Sequence, residues 1–133
     1  MKNQETFVDT SFEKSLEEAM DRVPGLLGLV IADSNGLPVS SSFSEDGGVL
    51  SASAMSAVAV DAAIRIAKHL EVGEFENVTF AFREYYLLVA TLADRKANLL
   101  ALAEKDVNLG LLHLALEEVR KTIEGFLEDF VQI

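Results

Sequence analysis

The sequence predicts an α+β fold, an α/β sandwich in the order α-β-β-α-β-β-β-α, with a five-stranded, mainly antiparallel sheet between helical layers. Three observations predict it. Apolar residues recur at steps of three and four near both ends of the chain and in its middle, the period of a helix packed on one side. Between these stretches lie short runs rich in Val, Ile and Leu, bounded by Gly, Pro, Asn and Asp, which read as strands. The last three runs are joined by links too short for a crossover, so they form an antiparallel meander. At 133 residues the chain fits one domain able to bury roughly two-thirds of its unfolded surface.

Residues 1–10 read as a polar tail and residues 11–133 as the domain. Ser11 can cap the first helix, although Lys14 stands where a capping box has Glu. Phe12, Leu16, Ala19, Met20 and Val23 give its apolar stripe, and Pro24-Gly25 stops it. Residues 26–32 are an apolar run of buried-strand length. Asp33-Ser34-Asn35-Gly36 contains Asn-Gly, the strongest short hairpin signal, and residues 37–42 form the return strand. A polar loop at 44–48 leads into the central helix, residues 50–70, which Val72-Gly73 ends. Strands follow at 75–82, 86–93 and 98–103, with Asp94-Arg95-Lys96 as a turn. In the first of these, Val78, Phe80 and Phe82 alternate with Thr79, Ala81 and Arg83. Asn108-Leu109-Gly110 opens the last helix. Its stripe is Leu112, Leu116, Val119, Ile123, Phe126 and Phe130, and its other face carries Glu117, Glu118, Arg120, Lys121, Glu124 and Glu128. The stripe runs on to Val131, which predicts a docked C-terminus.

The central helix carries the functional signal. It has seven alanines and no Gly or Pro. Met55, Ala59, Ala63, Ile66 and Leu70 share one face, and the opposite face holds Asp61, Arg65 and Lys68 after an apolar first half of Leu50, Ala54, Ala57 and Val58. A helix apolar nearly all round is buried. One face is therefore expected on the domain's own core and the other, with Leu50, Ala54, Ala57 and Val58, on a second chain.

Composition excludes several classes. A net charge of −11 opposes binding to nucleic acid, which demands Lys and Arg, and to anionic membrane surfaces. The N-terminus has no apolar stretch of signal-peptide length, and the uninterrupted apolar runs are shorter than a membrane span, so a soluble, cytoplasmic protein is expected. With no cysteine there is no disulfide and no thiolate ligand. Neither a P-loop nor GxGxxG occurs, and His69 and His113 lack ligand spacing, so neither cofactor nor metal is expected. Residues 33–36 resemble the start of a calcium loop, but Gly is fourth rather than sixth and Ser44 stands where Glu is required, so the turn reading prevails. Ser40, Ser41, Ser42 and Ser44 have no base nearby and read as an edge strand. His113 could switch with pH but more simply packs or is solvated, and His69 near a helix C-terminus suits the dipole. Arg65 has two readings, a contact to an acidic or phosphate-bearing partner or an i,i+4 pair with Asp61 worth about 0.2–0.5 kcal/mol.

Val23-Pro24-Gly25-Leu26-Leu27-Gly28, followed by Ala32-Asp33-x-Asn35-Gly36-Leu37-Pro38, resembles the opening of the roadblock / dynein light chain superfamily. The Ala-rich central helix resembles its second helix. Leu87 to Leu92, Leu99 to Ala103 and Asn108-Leu109-Gly110-Leu111-Leu112 resemble its closing strands and last helix, so the likeness covers about residues 11–125. It implies a profilin-like, roadblock-type fold whose members commonly pair through an edge strand and the central helices. Here it implies a homodimer seam of Leu50, Ala54, Ala57, Val58, Val78, Phe80 and Phe82. It also implies that the paired helices form a platform for a small Ras-like GTPase, met by Ser51, Ser53, Asp61, Arg65 and Lys68. The chain is then a non-catalytic regulator or scaffold. Alternatives are a structural adaptor in a larger, possibly heterodimeric assembly, and a small-molecule sensor, against which the lack of convergent polar residues argues.

Overall fold

The computed structural model describes residues 2–43, 48–92 and 95–131. Its elements are α1 (Lys2–Arg22), β1 (Leu26–Asp33), β2 (Pro38–Phe43), α2 (Val49–Leu70), β3 (Val78–Ala81), β4 (Tyr85–Leu92), β5 (Ala97–Glu104) and α3 (Leu109–Val131). The order is the expected one. The strands form one sheet, β2-β1-β5-β4-β3, in which every neighbouring pair is antiparallel. Alternate residues feed two cores. Leu29 and Ile31 of β1 face a cluster with Phe12, Leu16 and Val23 of α1 and Leu112, Val119 and Ile123 of α3. Val30 of β1 faces the other way, with Val89, Leu100 and Val60 of α2. So α1 and α3 cover one face, tied to each other by an Arg22–Glu118 ion pair, and α2 covers the opposite face.

The β1–β2 turn shows how local chemistry sets the frame. The Asp33 carboxylate accepts hydrogen bonds from the amides of Asn35 (2.9 Å) and Leu37 (3.0 Å). The Gly36 amide donates to the Asp33 carbonyl at 3.0 Å, and the Asp33 amide donates to the Leu37 carbonyl at 2.8 Å. Gly36 has φ +88°, the left-handed conformation that closes a three-residue hairpin loop after a type I turn. The Asn-Gly signal thus predicts the hairpin correctly, one residue longer than the tightest form. At the other end of the molecule, Asn108 caps α3 by accepting a hydrogen bond from the Leu111 amide at 3.0 Å.

Two elements depart from expectation by more than one residue, α1 at its start and β3. The helix expected from Ser11 begins at Lys2, so residues 2–10 are helical rather than a tail. Val8 stands four residues before Phe12, as Phe12 stands before Leu16, and the helical spacing simply continues backwards. α2 ends in a Schellman motif before Gly73: Glu71 takes the left-handed conformation (φ +53°), and the Val72 amide reaches back to the Ala67 carbonyl at 3.2 Å. The strand expected at 75–82 is paired only over Val78–Ala81. Its register places Val78 and Phe80 opposite Val89 and Leu87, residues of the α2-side core. Phe75 packs in that same core, yet in a continued strand an odd-numbered residue would point to the opposite face. Keeping Phe75 under α2 ends the ladder at Val78.

By composition α2 is long and apolar enough to cross a membrane, with mean hydropathy 1.5 over its best 18 residues, although its uninterrupted apolar runs are short. In the fold it lies across the sheet, and that window is only 17% buried. The residues expected at 44–47 of the polar loop, at Asp94 of the β4–β5 turn, and the side chains of Phe126, Phe130 and Val131 on the α3 stripe lie outside what is described.

Candidate interaction surface

The face that α2 turns to the sheet is built from small residues. Ser53, Ser56, Val60 and Ala67 are buried, flanked by half-buried Val49, Ala52 and Ile64. Ser56 Oγ donates to the Ser53 carbonyl at 2.6 Å, satisfying itself within the helix. Ser53 Oγ is enclosed with no hydrogen-bond partner among the described residues. Ser53 is 0% exposed, so the expectation that it touches a partner is overturned: its hydroxyl is in the core, not on the platform.

A second correction concerns which apolar face is which. The set Met55, Ala59, Ala63, Ile66 and Leu70 was expected on the core side, opposite the seam, but of these only Ala59 and Ala63 are half-buried. The structure exposes Met55 by 62%, Ile66 by 58% and Leu70 by 65%. Two serines on the inward stripe hide it from a hydrophobicity pattern, which is why the sequence points to the wrong side. The only signal available was the 53-56-60-67 spacing of small residues, helical but not apolar throughout.

The expected seam residues divide. Leu50 and Val58 are exposed by 64% and 61%, and Ala54 is exposed. Ala57 is half-buried, because the β1–β2 turn lies against this flank: a Cβ built on Gly36 would sit 3.0 Å from Ala54 Cα and 3.4 Å from Ala57 Cβ. On the sheet, Val78 is half-buried, while Phe80 and Phe82 remain exposed at the outer edge. Val78 and Phe80 project to the same side of the sheet as α2, and β3 is an outermost strand with one edge unpaired. The exposed faces of α2 and β3 thus lie on one side of the molecule.

Polar groups are few on this helix. Ser51 is exposed. Arg65 Nε lies 3.0 Å from Asp61 Oδ2, both side chains well exposed, so the pair is worth little in water. Lys68 and His69 occupy the last turn, with His69 Nδ1 2.9 Å from the Arg65 carbonyl. His113 lines a cleft of about 400 Å³ between α3 and the sheet. A second cleft, about 690 Å³, is lined by Lys68, Glu74, Phe75, Arg95, Arg120 and other groups at the end of α2. Its walls are strongly charged and come from several elements, unlike the mostly apolar enclosure a small-molecule sensor uses. Among the described residues no three His, Asp or Glu side chains are grouped to hold a metal ion.

The arrangement is that of a sandwich module whose distinctive surface, an apolar helix face beside an open sheet edge, suits another protein. Residues 13–103 match the Roadblock/LC7 domain model, and the chain belongs to that family. Among solved structures it is similar to Myxococcus xanthus MglB, with TM-score 0.78 and 18% identity over 94% of this chain and 90% of that one. It is similar to the gliding protein MglB of Thermus thermophilus, with TM-score 0.82 and 15% identity over 92% of each chain. A Roadblock/LC7 domain from Streptomyces avermitilis matches with TM-score 0.75 and 19% identity over 87% of this chain and 97% of that one. At these identities the likeness is one of fold. No curated protein sequence matches.

Proposed function

We propose that this chain is a non-catalytic binding module that pairs with a second copy and uses the paired α2 helices to dock a small Ras-like GTPase in the cytoplasm, regulating or scaffolding it. The observation that carries this reading is the outward face of α2, where Leu50, Met55, Val58 and Ile66 stand in water over most of their surface. Monomeric proteins rarely leave so much contiguous apolar surface uncovered. Phe80 and Phe82 on the unpaired β3 edge give the same side a second uncovered element. Membership of the Roadblock/LC7 family supports both the pairing and the class of partner.

Two measurements test the reading separately. Light scattering coupled to size exclusion should return the mass of two chains, and a single-chain mass would remove the homodimer. A Ras-like GTPase from the same organism should then bind differently in its GDP and GTP-analogue forms, and Arg65→Glu or Lys68→Glu should weaken that binding. Binding indifferent to both nucleotide and these changes would leave an adaptor rather than a GTPase regulator.

A further inference from the structure

The turn between β3 and β4 is made of Arg83 and Glu84. Two-residue hairpin turns favour the primed types, which need a positive φ at the first or at both central positions. Among the described non-glycine residues only Glu71 and Arg95 have positive φ, so Arg83 and Glu84 do not close the turn that way. The Phe82 amide donates to the Tyr85 carbonyl at 2.8 Å. The Phe82 carbonyl, which a tight hairpin would close onto the Tyr85 amide, is instead held by Lys105 Nζ at 2.7 Å. The Lys105 amide donates to the Glu84 carbonyl at 3.0 Å, and its ammonium lies 5.0 Å from the centre of the Tyr86 ring. One residue of the β5–α3 link therefore grips this hairpin at three points, all from outside it.

We infer that Lys105 is a positioning residue for self-association: it fixes the Arg83–Glu84 turn, and with it the exposed Phe82 at the end of the β3 edge. This rests on the reading that the β3 edge pairs with its twin. A turn with poor local chemistry that must present the Phe82 ring at an open edge, beside Tyr85 at the start of β4, gains its order from a charged hydrogen bond, which is stronger than a neutral one. A hairpin loosened at this end would have to be ordered again on pairing, which weakens association.

The test is sedimentation velocity over a concentration series on the full chain and its Lys105→Met and Lys105→Arg variants, with thermal unfolding alongside. Lys105→Met should weaken the dimer about tenfold, the effect of losing roughly one charge-assisted hydrogen bond, and Lys105→Arg should restore it. In a Phe82→Ser background, Lys105→Met should add no further weakening, because the ring being positioned is already gone. A Lys105→Met dimer as tight as the wild type overturns the inference and leaves the dimer intact. Equal weakening in both backgrounds overturns it too, since Lys105 would then serve the fold at large. A monomeric wild type removes the dimer reading and this inference with it.

Discussion

Ser53→Ala separates a structural from a functional reading of the same residue. The resemblance places Ser53 on the partner-binding platform, whereas the fold buries it fully, its hydroxyl without a partner among the described residues. A buried hydroxyl without a partner costs about 1–3 kcal/mol relative to one that is satisfied. Removing it relieves that cost and leaves a void of one oxygen, which returns part of the gain. Alanine also exceeds serine in helix propensity by up to about 0.5 kcal/mol. The net expectation is a stabilisation of about 1 kcal/mol, which for a chain of this length raises the melting temperature by roughly 3–5 °C. Urea unfolding followed by circular dichroism reads this directly, as a higher midpoint with an unchanged slope. Partner binding and dimer mass should not move. A destabilised Ser53→Ala protein would refute the reasoning, because the hydroxyl would then have a partner. A stable variant with weakened partner binding would put Ser53 back on the platform.

Val58→Asp tests the α2 face. Full burial of a valine is worth about 1.5–3 kcal/mol, and Val58 is 61% exposed in the single chain. Losing that burial in both protomers should weaken the dimer by at least about 20-fold, read by sedimentation, with little change in the unfolding of the single chain. Glu71→Gly should stabilise the fold by about 1 kcal/mol in urea, because Glu71 holds φ +53° and puts a negative charge at the carbonyl end of α2. Gly36→Ala should destabilise it by about 1–3 kcal/mol, since a side chain there meets both φ +88° and Ala54 Cα at 3.0 Å.

Much of the fold was legible because the periodicities are local. The stripe Phe12, Leu16, Ala19, Met20 and Val23 and, as far as it is described, the stripe Leu112, Leu116, Val119 and Ile123 are read from spacing, and all are buried but Met20 and Leu116, which are half-buried against the same core. What spacing could not give is the choice between competing placements of one residue. Phe75 fits an alternating strand by type, but its burial beneath α2 is a tertiary fact that breaks the alternation. The same limit hid the inward stripe of α2. Ser53 and Ser56 look solvent-facing by composition, and only the packed sheet shows that small side chains are what let α2 lie close on it. The outward positions Leu50 and Val58 were legible; Met55 and Ile66 were not. Lys105 gave no sequence signal at all, since its partners are carbonyls 23 and 21 residues away.

The two uncovered features of this molecule are better explained together than apart. A four-residue edge strand with no charge and no proline, Val78–Ala81, lacks the usual devices that keep an edge from pairing with other chains. An apolar helix face on the same side of the sheet lacks the charged residues that would keep it in water; Val49–Val60 contains none. Each alone would be a liability in a chain otherwise so acidic that its surface resists association. A second copy placed on this side would cover both at once, pairing edge with edge and helix with helix about one two-fold axis. Arg65 and Lys68 would then stay at the margin of the apolar seam, free to meet a third protein. That geometry makes separable demands on variants: Val58→Asp should weaken both the dimer and partner docking, whereas Lys68→Glu should weaken docking and leave the dimer. If Lys68→Glu split the dimer as well, α2 could not serve as seam and platform together, and the partner would have to bind elsewhere.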